Sequence, residues 1–205
     1  MNYYWGEPDT LVTWCEEKYI INNYISEFWN TLSNIFYLIV AYKVYDKKNK
    51  LLSFYIFLMG LGSFLFHGTS RYYFELLDEI PMLLVSNELL YLFYGKTRLT
   101  MSPNLYMYNS VNIMITTCTY IIFKNYSYFL FIFAMSILNI IVVGFSYKKS
   151  NKTDLYLSIG SMTTGKILWD IEQKYCNSYD WVYLLHSLWH LLSATSLYYI
   201  IKYAK

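Results

Sequence analysis

Apolar residues run along this chain in long stretches, and most charged residues gather in the short intervals between them. The stretches cover approximately residues 25 to 45, 51 to 69, 74 to 95, 105 to 123, 126 to 146, 153 to 172 and 180 to 202. A helix needs about 20 apolar residues to cross the hydrocarbon layer of a bilayer. The pattern therefore predicts an all-α, polytopic membrane protein built as a seven-transmembrane helix bundle. The second and fourth stretches are short and carry polar residues, which leaves six or eight crossings open. Charge favours seven. Lys43, Lys47, Lys48, Lys50, Lys96, Arg98, Lys148, Lys149, Lys152, Lys202 and Lys205 fall on one side of that arrangement, against Lys18, Arg71, Lys124 and Lys174 on the other. Lysine and arginine accumulate on the cytosolic face. The C-terminus is thus expected in the cytosol, and the N-terminus, with Glu7, Asp9, Glu16, Glu17 and Glu27, in the lumen or outside the cell.

Composition narrows the class further. Of 205 residues, 56% are hydrophobic and only 15% charged, less charge than a soluble domain normally carries. We read one membrane domain over residues 1–205, with an outer N-terminal segment (1–24) and the bundle (25–202). The N-terminus shows no basic stretch followed by an apolar run and a cleavage site, so the first helix is expected to target the chain itself. The endoplasmic reticulum, the Golgi or another endomembrane is the expected location; the bilayer is the expected partner, and nucleic acid is not. Asn125-Tyr126-Ser127 fits a glycosylation acceptor on the outer side, but it hugs the predicted membrane edge, which argues against its use.

Polar groups within apolar stretches demand a reason. The three histidines, His67, His186 and His190, all lie in or at the edge of such stretches, at matching depth in the outer half of the predicted bundle. His186 and His190 share a helix face by their i, i+4 spacing, as do Ser63 and His67. A lone histidine there is most simply an interhelical hydrogen-bonding group. Three neutral imidazoles that leave a fourth tetrahedral position open favour a catalytic zinc site. Asp78, expected to open the third helix on the same side, suits proton transfer beside such a site. For its neighbour Glu79 the expected role is that of a helix-start carboxylate near the positive end of the dipole. Asp170 is a candidate to orient a ligating imidazole. Glu88 and Lys166 could form a buried pair, or each could line a wet cavity. Cys15 and Cys176 fall on one side and could pair in an oxidising lumen, while Cys118 reads as a small apolar filler.

Trp14-Cys15-Glu16-Glu17, the run from Glu27 to Asn34, Gly62-Ser63 through His67, Leu77-Asp78-Glu79-Ile80-Pro81, Leu168-Trp169-Asp170 and His186 through His190 together resemble the alkaline ceramidases. The resemblance spans almost the whole chain in family order. It implies a seven-helix intramembrane amidase that cleaves the N-acyl bond of ceramides to a sphingoid base and a fatty acid. His67, His186 and His190 match the zinc ligands, Ser63 the residue that helps hold the oxyanion, Asp78 the acid and base, and Cys15 with Cys176 the lumenal disulfide. The family also implies a calcium ion beside the N-terminal segment. Glu16 and Glu27 match its side-chain ligands and Trp14 a carbonyl ligand. Thr13 and Lys18, however, replace an Asp and an Asn, which removes two good oxygen ligands for a hard cation. The Lys18 ammonium is an alternative occupant of that place.

The expectation drawn from these residues is a zinc-dependent ceramide hydrolase that takes its lipid from within the bilayer, with calcium in doubt. The rival is a zinc-containing membrane receptor, or a non-catalytic lipid-binding protein, of the adiponectin-receptor-like group. An N-terminus outside and an acidic N-terminal segment favour the hydrolase.

Overall fold

The computed structural model describes residues 3–47, 49–94, 103–147, 149–176 and 178–205; Lys48, Lys96, Arg98 and Lys148 of the charge pattern lie outside them. Eight helical segments are present among the described residues: α1 (Phe28–Ser33), α2 (Ile35–Val44), α3 (Lys50–Thr69), α4 (Tyr72–Tyr94), α5 (Pro103–Phe123), α6 (Tyr126–Ser146), α7 (Thr153–Tyr175) and α8 (Leu184–Ala204). The last six follow the predicted stretches closely. The first stretch is broken in two.

Side chains explain the break. Ser33 Oγ and Asn34 Nδ2 both donate to the Asn30 carbonyl, at 2.9 and 2.8 Å, offering the backbone an alternative to the helical ladder. The start of α1 is capped from a distance. Its free Trp29 and Asn30 N–H groups donate to the two oxygens of Glu16, at 2.7 and 2.9 Å.

α3 with α4, and α7 with α8, form the most intimate pairs; α2 joins α3 and α8, α6 packs on α4, and α6 scarcely meets α7 among the described residues. An apolar core of Tyr37, Val40, Ile56, Leu89, Phe93, Leu155, Ile201 and Tyr203 fills one half of the bundle. The other half is polar inside. Asn30, Asn34, Glu75 and Glu172 are fully buried there, with Glu27, Ser63 and all three histidines beside them.

Among the described residues two helices, α3 and α6, are long and apolar enough to cross a membrane. Phe131, Met135, Leu138, Val142 and Phe145 form an exposed apolar stripe on α6, at the four-and-three spacing of one helix face. Cys118 is exposed on α5, so it fills no gap in the core. Lys166 lies in an ion pair with Asp170 one turn on, rather than with Glu88. Asn125 uses its side chain to cap α6, accepting from the Tyr128 N–H at 3.1 Å.

The N-terminal segment lies across the polar end of the bundle. Asp9 accepts from the Tyr72 N–H and pairs with Arg71, the Leu11 N–H donates to Glu75, and Cys15 is disulfide-bonded to Cys176. These ties hold Trp14 over the bundle's interior.

Candidate metal centre and active site

His67 stands in the last turn of α3, and His186 and His190 in the first two turns of α8. The two helix ends meet, and one ring nitrogen from each histidine lies within 4.8 Å of the other two. Each Nδ1 faces a neighbour outside the cluster. His67 Nδ1 is 2.7 Å from Glu27 Oε2, His190 Nδ1 is 2.7 Å from Ser33 Oγ, and His186 Nδ1 faces Glu172 Oε2 at 3.6 Å. At that separation neither atom of the last pair makes a hydrogen bond. The Nε2 atoms are left to converge.

Three buried imidazole nitrogens turned toward one another repel unless a proton or a cation sits between them. With a carboxylate and a hydroxyl bonded behind two of them and the Glu172 carboxylate facing the third, they suit a tetrahedral metal ion with one open position. The residues present therefore fit the ion expected from the sequence.

Ser63 is a neighbour of the Asp78 carboxylate. Both line a cavity of about 30 Å³ with His186, His190, Trp14, Tyr37, Glu79 and Trp189, room for one or two water molecules. The backbone explains how Asp78 reaches Ser63. Pro81 has no N–H for the Leu77 carbonyl one turn back, and that carbonyl turns toward Gly62, where a Cβ would lie 2.2 Å from its oxygen. Glycine thus admits the α4 backbone beside Ser63. A roomier depression of about 310 Å³ lies outside the disulfide, between Glu17, Ile20, Asp180 and Tyr183, and no histidine lines it.

Several expectations need correction. Asp78 does not open its helix but stands in the second turn of α4, which begins at Tyr72. Glu79 is no solvated helix-start carboxylate: it is buried, faces the same cavity and accepts a hydrogen bond from Tyr120 of α5. Asp170 is exposed and faces away; Glu172, half a turn later and fully buried, stands behind His186.

Both carboxylates matched to the calcium site are engaged elsewhere. The Trp14 indole packs on His186 at 3.7 Å between ring centroids. Glu16 caps α1; burial pushes its carboxyl up from the usual range, while the backbone N–H groups of Asn30 and Trp29 oppose the shift. Glu27 holds His67 with one oxygen and takes Lys18 Nζ at 2.6 Å with the other. Thr13 is exposed.

Among known proteins, the chain is 28% identical to an alkaline ceramidase of Saccharomyces cerevisiae, over 96% of this chain and 76% of that protein. It is 27% identical to alkaline ceramidase 3 of Mus musculus, over 95% of this chain and 82% of the relative. A model of the ceramidase family matches residues 6–205, and the chain therefore belongs to that family.

Proposed function

We propose that this protein hydrolyses the N-acyl amide of ceramides from within a membrane, using one zinc ion. The observation that carries the reading is the Ser63–Asp78 pair on the wall of the cavity where His186 and His190 converge with His67. Zinc on the three Nε2 atoms would supply a Lewis acid for the amide carbonyl and lower the pKa of water.

The chain's own residues supply the rest. Asp78 takes the proton of the attacking water on a carboxylate oxygen, then returns it to the nitrogen of the departing sphingoid base. Ser63, beside Asp78 on the cavity wall, turns its O–H to the tetrahedral oxyanion. Glu27, Glu172 and Ser33 fix the ring planes of the histidines. Trp14, stacked on His186, keeps bulk water out from the N-terminal side.

Room for the lipid tails supports a lipid substrate. Below the polar cavity lie two further cavities of about 30 Å³ each, lined almost wholly by apolar groups. Tyr37, Met59, Met82 and Trp189 separate the first from the second, and Met162 with Leu89, Ile137 and Leu197 separates the second from the third. Methionine is unbranched and adaptable, so a tail can join the three into one channel. They lie along the seam where α6 and α7 scarcely meet, through which a lipid can enter from the side.

Seven crossings, with α1 and α2 sharing the first, complete the reading. Lys149, Lys152, Lys202 and Lys205 gather at the end of the bundle away from the histidines, three of them donating to helix-end carbonyls of Tyr203, Phe145 and Val44. That end is the cytosolic one by the positive-inside rule.

The test is incubation of purified, zinc-loaded protein with a panel of ceramides, with mass spectrometry of the released base and acid. Equimolar release is expected, with about one zinc per chain. Absence of release from every ceramide by zinc-replete protein would overturn the reading.

A further inference from the structure

Lys18 is one of the few cations near the polar end of the bundle, and its place is fixed by the backbone. Tyr19 adopts φ of 62°, a left-handed conformation uncommon for a bulky residue, and its N–H donates to the Ser26 carbonyl at 2.7 Å. This turn sets Lys18 against Glu27, one residue beyond Ser26. Nζ lies 2.6 Å from Glu27 Oε1, and Oε2 of the same carboxylate lies 2.7 Å from His67 Nδ1. One carboxylate thus joins an ammonium group to a candidate metal ligand.

The calcium ion implied by the family does not fit here. A calcium ion takes six to eight oxygen ligands. Both oxygens of Glu16 are engaged by α1 backbone donors, both oxygens of Glu27 by Lys18 and His67, and Thr13 is exposed. An ammonium already stands where the ion's charge is needed.

We infer that Lys18 is a positioning residue that replaces a divalent cation: it holds Glu27, and through Glu27 the ring of His67, so that the metal centre forms without calcium. The inference rests on the three histidines binding zinc. It differs from an ordinary surface ion pair, which contributes little, because Glu27 is 2% exposed. Loss of the lysine leaves a buried carboxylate uncompensated and free to turn. The effect then reaches His67, since a partner behind a ligating histidine sets its orientation and basicity.

The experiment measures zinc affinity by competition with a chelator, and cation binding by terbium luminescence, on the native protein, Lys18→Met, Lys18→Arg and the double variant Lys18→Asn/Thr13→Asp. Native protein should bind zinc with no dependence on free calcium and give no terbium signal. Lys18→Met should lose about 10- to 100-fold in zinc affinity, with the spectrum of its cobalt-substituted form altered. Lys18→Arg should recover most of that loss, because it restores charge. The double variant should bind terbium and hold zinc tightly only when calcium is present, a rescue that a merely structural role would not give. Terbium binding or a calcium requirement in the native protein would overturn the inference, as would undiminished zinc affinity in Lys18→Met. Should Lys18→Met fail to fold, the native terbium and calcium titrations still decide. Failure of the native protein to bind any zinc would instead defeat the metal site itself.

Discussion

Asp78 lines the cavity beside the histidine cluster and Glu172 faces His186 Nδ1, and substitution separates what each does. Asp78 touches no histidine nitrogen; its partner is Ser63. Asp78→Asn keeps the shape and loses the proton carrier, so zinc content should stay near one per chain while kcat falls by about 10²- to 10⁴-fold. Near-normal turnover in that variant would place the base elsewhere. Glu172→Gln should act the other way. It weakens the group behind His186 and should lower zinc affinity by about 10- to 100-fold, measured by chelator competition, whereas Asp170→Asn should leave it unchanged. The three histidines could be singled out from sequence because there are only three, all within or beside apolar stretches, and Ser63 and Asp78 because of their spacing and the family resemblance. Glu172 and Ser33 could not. A carboxylate two residues from Asp170 in a mixed helix carries no local mark of which one faces inward.

Helix α4 shows how one backbone irregularity positions a side chain. Pro81 frees the Leu77 carbonyl, and Gly62 of α3 has no Cβ to obstruct it. Gly62→Ala should push α4 away, lower the thermal midpoint through overpacking of about 1–3 kcal/mol, and reduce turnover more than zinc binding, because the Ser63–Asp78 contact is lost. Gly160→Ala on α7 is the control. Nothing lies within 4 Å of a Cβ there, and alanine favours a helix by about 1 kcal/mol over glycine, so stability should hold or rise. Six of the eight helical segments could be drawn from the apolar pattern alone, since side chains facing either lipid or core keep such a stretch continuous. The break at Asn34 could not, because it depends on Ser33 and Asn34 returning to one carbonyl and on Glu16 arriving from a distant segment.

Across the whole fold, the N-terminal segment is a cover joined to the histidine cluster at two points. Lys18 reaches His67 through Glu27, and the Cys15 N–H, at 2.9 Å, reaches Glu172 behind His186. The Cys15–Cys176 disulfide fastens that cover across 161 residues of chain. Replacing both cysteines with serine should cost about 2–4 kcal/mol, seen as a lower thermal midpoint, and should quicken zinc loss to a chelator as Trp14 and the Cys15 N–H drift from the site. Equal stripping rates in the two proteins would show that the cover and the ligands are independent.

The all-helical class, the approximate helix limits and the three histidines as a candidate cluster were legible in the order of the amino acids. Each of these rests on a local property, an apolar run or a polar residue out of place within one. Tertiary structure alone decided which carboxylate stands behind which histidine, that Glu79 turns inward to Tyr120, and that Lys18 rather than an open set of oxygens meets Glu27. Those contacts join residues on separate segments, and the rotation of a helix about its axis is set by what packs against it. A polar residue in a run announces that it needs a partner; only the packed bundle shows which one it has.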